Sequence, residues 1–138
     1  MPNEFDYDSV QTYLTGLVPP RPVELQAMEA YAEQTGFPIV GSAAGYTCYQ
    51  IARMIGARRI CELGSGYGYS TAWFAHAVHE NLALSGADAG GGVVHHVVWD
   101  EELSQLSLIH IYHRLYRRKL RSNPRQLHGG PPRRHLWV

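Results

Sequence analysis

The run Arg59-Ile60-Cys61-Glu62-Leu63-Gly64-Ser65-Gly66-Tyr67-Gly68 constrains the fold of this chain more than any other segment. Five residues that suit a strand lead directly into glycines at alternate positions, and an apolar stretch from Ser70 to Glu80 follows. Glycine reaches backbone conformations closed to other residues, so a strand ending here can turn sharply and continue as a helix. That stretch carries Ala72, Trp73, Phe74, Ala75, Ala77 and Val78 on nearly every side, which predicts a helix sandwiched within a larger fold. Residues 81–92 make a small, glycine-rich connection, and the β-branched run Val93 to Trp99 reads as a second strand ending at Asp100. Strand, loop, helix and strand form one βαβ unit, the opening of a parallel sheet.

Upstream the pattern is helical. Ser9 to Leu17 reads as a short helix capped by Asp8 and closed by Pro19-Pro20. Pro22 begins a second, with Leu25, Met28 and Ala32 on one face and Gly36 as its stop. Phe37 to Val40 is extended, and Gly41 to Gly45 is a small-residue turn. Tyr46 to Ile55 is a third helix with Cys48, Ile51 and Ile55 on its inner side and Gly56 after it. Cys48 and Cys61 stand singly and read as buried free thiols. Three segments result: helical residues 1–58, the βαβ unit at 59–105, and a basic tail at 106–138.

The chain has twelve basic and twelve acidic side chains in 138 residues, but they are segregated. All twelve carboxylates lie at or before Glu102 with four arginines, a net charge of −8, and the remainder carries +8 with no acid. Composition excludes collagen, a disulfide scaffold and a wholly disordered chain. The acidic start lacks a signal-peptide pattern and no apolar run is long enough to span a bilayer, so the sequence reads as cytoplasmic, without a membrane partner.

The glycine loop also suggests chemistry. Glycines between strand and helix let a ligand approach the backbone, and amides at a helix start favour an anionic group. The dinucleotide pattern fails, because its third glycine would fall at Tyr69. Glu62, two residues before the first glycine, is placed to meet a cationic amine, and Asp100 at the second strand tip could accept both ribose hydroxyls. Simpler roles stand beside these: an exposed strand-end carboxylate for Glu62, a helix N-cap for Ser70 or Asp100, and packing for Trp73 and Trp99. The pairs His95-His96 and His76/His79 lack a third ligand, and neighbouring strand residues face opposite ways, so no metal site is expected among them.

Two stretches, Val40 to Gly45 and Glu62 to Ser70 with its Gly-Tyr-Ser ending, resemble the class I methyltransferases, most closely the catechol-type O-methyltransferases. The resemblance covers about residues 13–104. It implies a Rossmann-like α/β fold, here truncated after the second strand and preceded by helices. It further implies S-adenosyl-L-methionine as cofactor and methyl transfer to a hydroxyl of a small molecule. Position by position, Val40 would contact the methionine part, Glu62 the amino group, Gly64, Ser65, Gly66 and Gly68 the loop wall, Ser70 the carboxylate and Asp100 the ribose. The family's divalent metal, such as Mg²⁺, takes its ligands from later strands that this sequence does not show, and no carboxylate follows Glu102. The expectation is a cofactor-binding half with little or no catalysis, its strand edges open and its helix from Ser70 uncovered.

Leu106 to Ile111 resembles the translation of a transposase mosaic end used as a sequencing adapter, so residues after about 105 are expected to be non-native. Two other readings compete. One is a nucleic-acid-binding protein with an acidic body and a basic tail, disfavoured because Arg114 to Arg121 belongs to no recognisable module. The other is a nicotinamide-dependent oxidoreductase, disfavoured by Tyr69.

Overall fold

The computed structural model describes residues 6–85, 91–98, 102–103 and 134–137. Helices α1 (Tyr7–Gly16), α2 (Val23–Thr35) and α3 (Gly41–Met54) lead into strand β1 (Arg59–Leu63), helix α4 (Tyr69–Ser85) and strands β2 (Val93–Val97) and β3 (Arg134–Trp137). β1 and β2 run parallel in the register Arg59↔Val93 to Leu63↔Val97, joined through α4 as the βαβ reading requires. No described helix is long and apolar enough to cross a membrane.

The N-terminal helices follow their local signals with two corrections. Asp6, not Asp8, caps α1: its carboxylate accepts from the Ser9 amide at 3.3 Å and from the Ser9 hydroxyl, which holds it below its ordinary pKa. Helix α3 starts at Gly41, so the expected turn at 41–45 is its first turn; the alanines there are strong helix formers. Gly36 and Gly56, at φ of 68° and 61°, end α2 and α3 in the same way. In each case the amide of the next residue reaches back to a helix carbonyl, Phe37 to Ala32 at 3.0 Å and Ala57 to Ala52 at 2.9 Å.

The core is organised around α4. Leu25, Met28 and Ala32 of α2 join Ala72, Trp73, Ala75 and Val78 of α4 and Val94 of β2 in one buried cluster. The expectation that this helix would lie uncovered is corrected, since α2, α3 and both parallel strands pack against it. The inner face of α3 is also not the one expected. Gly45 and Ala52 are buried against α4, whereas Ile51 and Ile55 are 54% and 73% exposed. Small residues let the two helix backbones approach closely, and the bulky isoleucines are turned away. Asn81 of α4 secures this contact, donating to the carbonyls of Ala52 at 3.0 Å and Ala57 at 2.8 Å while accepting from Arg53 at 3.0 Å.

In β1, Ile60 and Glu62 face the helices, and Arg59, Cys61 and Leu63 are exposed. Cys48 and Cys61 are free as expected, but Cys48 is only half-buried and Cys61 is exposed. The sheet does not stop at two strands. β3 pairs antiparallel with β2, from Val93↔Trp137 to His96↔Arg134, and so covers an edge expected to be open. The rest of 106–138, the adapter-like hexapeptide included, lies outside the described residues.

Candidate functional site

A cleft of about 240 Å³ opens between the 37–40 segment and the 64–70 loop. Gly64, Gly66 and Gly68 hold φ of 78°, 54° and 92°, the left-handed region that side chains rarely adopt. At Gly66 a Cβ would also lie 3.1 Å from the Phe37 ring, tighter than an ordinary contact, so the ring would have to give way slightly. At Gly64 a Cβ would meet nothing within 4 Å, so this glycine serves the turn and leaves open space in front of it.

Three anchors fix the loop. The Val97 carbonyl accepts the amides of Gly64 and Ser65 at 3.0 and 3.1 Å and the Ser65 hydroxyl at 3.4 Å. The Gly68 amide closes the turn on the Ser65 carbonyl at 2.8 Å. Tyr67 is buried, stands edge-on to Tyr31 and Phe37, and donates its hydroxyl to the Met28 carbonyl at 2.7 Å. Burial, with lesser contributions from Tyr31 and Glu29, pushes its pKa up to about 12. The amides of Gly64, Ser65 and Gly68 are thus engaged within the protein. The amides without an intrahelical acceptor belong to the first turn of α4.

Glu62 lies behind the cleft and is tied to it through Ser70. The Ser70 hydroxyl donates to its Oε1 and the Thr71 hydroxyl to its Oε2. Thr71, fully buried, also lies 3.2 Å from Nδ1 of His96, the residue paired with Glu62 across the two strands. Burial holds His96 below its ordinary pKa, partly opposed by the Glu62 charge. Burial and the same charge raise the Cys48 thiol. The start of α4 is braced by a second network, in which the Tyr69 hydroxyl donates to Glu29 at 2.6 Å and Glu29 pairs with Arg21 at 2.8 Å.

Of the residues singled out in the sequence, Val40, Gly64, Ser65, Gly66 and Ser70 line this one cleft. Glu62 adjoins it through Ser70, and Gly68 is buried in the loop behind it. Asp100 lies outside the described residues. Sequence reasoning missed Phe37, Ile39, Tyr67 and Tyr69 as walls, and Thr71 and His96 as partners of Glu62. Two successive hydroxyls at the helix start were a readable sign for Thr71, whereas His96 becomes visible only with the strand register. The described residues contain no group of three or more His, Cys, Asp or Glu able to hold a metal ion, so they do not fit a metal centre.

Solved structures with this fold include an O-methyltransferase from Bacillus cereus in complex with SAH, at TM-score 0.60 and 23% identity over 75% of this chain and 43% of that one. A methyltransferase from Geobacter sulfurreducens gives 0.61 and 24% over 76% and 50%. The O-methyltransferase TomG from Streptomyces achromogenes, involved in tomaymycin synthesis and crystallised with SAM, gives 0.61 and 22% over 80% and 46%. The fold is therefore the Rossmann-like fold of these methyltransferases. The chain spans about half the length of the structures it matches. No family profile matches the sequence.

Proposed function

We propose that the cleft binds S-adenosylmethionine, and that the chain provides the cofactor-binding part of an O-methyltransferase acting on a hydroxyl of a small molecule. The observation that carries this reading is Glu62 at the end of β1, its two oxygens held by Ser70 and Thr71 beside a glycine loop that leaves open space at Gly64. When bound, the cofactor supplies an electrophilic methyl group on a sulfonium.

The residues then divide the work. Glu62, acceptor-only when ionised, takes the amino group; each of its oxygens keeps acceptor capacity beyond the one hydroxyl it holds. Val40 packs on the methionine part, and Gly64, Ser65 and Gly66 form the wall, with Gly68 setting the turn behind it. Ser70 has one proton and directs it to Glu62, so reaching the ligand carboxylate requires that hydroxyl to rotate as the amine arrives. The first-turn amides of α4 and its dipole favour the same carboxylate. Asp100 is assigned to the ribose from its place in the sequence. No step is assigned to a metal.

The test is calorimetry of the whole chain with S-adenosylmethionine. A charged hydrogen bond is worth about 1.5–3 kcal/mol, so Glu62→Gln should weaken binding by roughly 10- to 150-fold. Absence of saturable binding, or affinity unchanged by that substitution, refutes the reading.

A further inference from the structure

Building on that reading of the cleft, we infer that Thr71 and His96 are positioning residues for Glu62, a relay in which His96 Nδ1–H orients the Thr71 hydroxyl and that hydroxyl orients the carboxylate. The direction of each bond follows from counting protons. Ionised Glu62 can only accept, so the single Thr71 proton points at Oε2. The Thr71 oxygen can then only accept from Nδ1 of His96, 3.2 Å away. Neutral His96 must carry its proton on Nδ1 and leave Nε2 bare.

The surroundings agree with that tautomer. Among the described residues, buried Nε2 has no hydrogen-bond partner, and an orphaned N–H is rarer in a protein interior than an unused acceptor. His96 is 5% exposed and Thr71 is fully buried, so neither side chain lies on the cleft wall. Their influence on a ligand must pass through Glu62. The parallel register places His96 directly beside Glu62, and helix α4 places Thr71 over both. Ser70 holds the other carboxylate oxygen in the ligand-free protein, and once its hydroxyl turns to the ligand carboxylate, Thr71 is the donor left to fix the direction of Glu62.

The experiment has two parts. In the ligand-free chain, ¹⁵N chemical shifts of the His96 ring should show the neutral Nδ1–H form, and an Nε2–H form overturns the relay without any variant. Calorimetry then compares S-adenosylhomocysteine with its analogue lacking the α-amino group. Thr71→Val should weaken the amino ligand about tenfold and the des-amino analogue less than twofold, with Thr71→Ser restoring discrimination. Equal weakening of both ligands gives Thr71 a purely structural role and overturns the inference. If Glu62→Gln abolishes discrimination while Thr71→Val preserves it, the relay fails and the cofactor reading stands. If the unmodified chain fails to discriminate the two ligands, the cofactor reading itself fails.

Discussion

Gly45→Ala places a methyl group where the indole of Trp73 already sits. The new Cβ would lie 2.2 Å from Nε1 and 2.4 Å from Cδ1, against about 3.5 Å for an ordinary contact, so the ring or the helix must retreat by more than 1 Å. Retreat is obstructed, because Trp73 is 4% exposed and flanked by Tyr46 and Tyr49 with ring centres 6.0 and 6.1 Å away. Forcing an extra methyl group into a packed core typically costs about 1–3 kcal/mol, and with retreat obstructed the loss should fall at about 2–3 kcal/mol. Alanine returns up to about 1 kcal/mol of helix propensity, leaving a net destabilisation of about 1–2 kcal/mol. At about 4 °C per kcal/mol, the thermal midpoint should fall by roughly 4–8 °C. Circular dichroism melts of Gly45→Ala, Trp73→Leu and the double variant measure this. Leucine makes room for the methyl, so the alanine should become neutral or stabilising in that background, with a coupling of about 1–3 kcal/mol. A stabilised Gly45→Ala, or additive single effects, refutes the close α3–α4 packing.

Three other substitutions or conditions probe the loop and its support. Tyr67→Phe removes the bond to the Met28 carbonyl and should cost about 0.5–1.5 kcal/mol in denaturant unfolding. Tyr67 remains neutral up to about 12 in the fold and near 10 when unfolded, so stability should fall as pH rises from 10 towards 12, by about 2–3 kcal/mol, and Tyr67→Phe should flatten that limb. His96 is depressed below 6.5 by burial, so the unfolded chain binds the proton first: its contribution is complete above 6.5 and declines as pH falls through the folded value, about 1.4 kcal/mol per unit of depression. His96→Phe should remove that acid dependence, and an unchanged pH profile would count against a buried neutral imidazole. Gly92→Val should destabilise the approach of β2 to α4, because even a Cβ there lies 2.3 Å from Val78 and 2.8 Å from Leu82; unchanged unfolding refutes that contact.

What the sequence revealed was set by local backbone chemistry. Glycines at 64, 66 and 68 carry the left-handed conformations that their alternation implies, and the helix end at Gly36 and strand β1 fall where local signals place them. Faces were harder to read. Ile51 and Ile55 are apolar and helically spaced, yet the inward face of α3 is the one whose small residues meet α4, Gly45 beneath Trp73 and Ala52 at Asn81. Hydrophobicity alone cannot report such complementarity, because it depends on the partner. The support of Glu62 was hidden for a related reason: Glu62, Thr71 and His96 are brought together by strand register and helix placement. His95 and His96 look equivalent as a dipeptide, but strand alternation leaves His95 half-buried and buries His96 against Thr71.

The site and the fold share their supports, and this determines how the chain can fail. Val97 ends β2 with its carbonyl holding the loop at Gly64 and Ser65, while Tyr67 ties the same loop to α2. Loosening β2 therefore moves the loop and His96 together, and loosening α2 frees Tyr67 and the Glu29 brace on Tyr69. A destabilising change far from the cleft, such as Gly92→Val, should weaken ligands with and without an amino group alike, because it shifts the whole wall. Loss restricted to the amino ligand should arise only from Glu62 and the groups that orient it. Comparing the two ligands across such a pair of variants separates a damaged scaffold from a misaimed carboxylate, which affinity for one ligand cannot do.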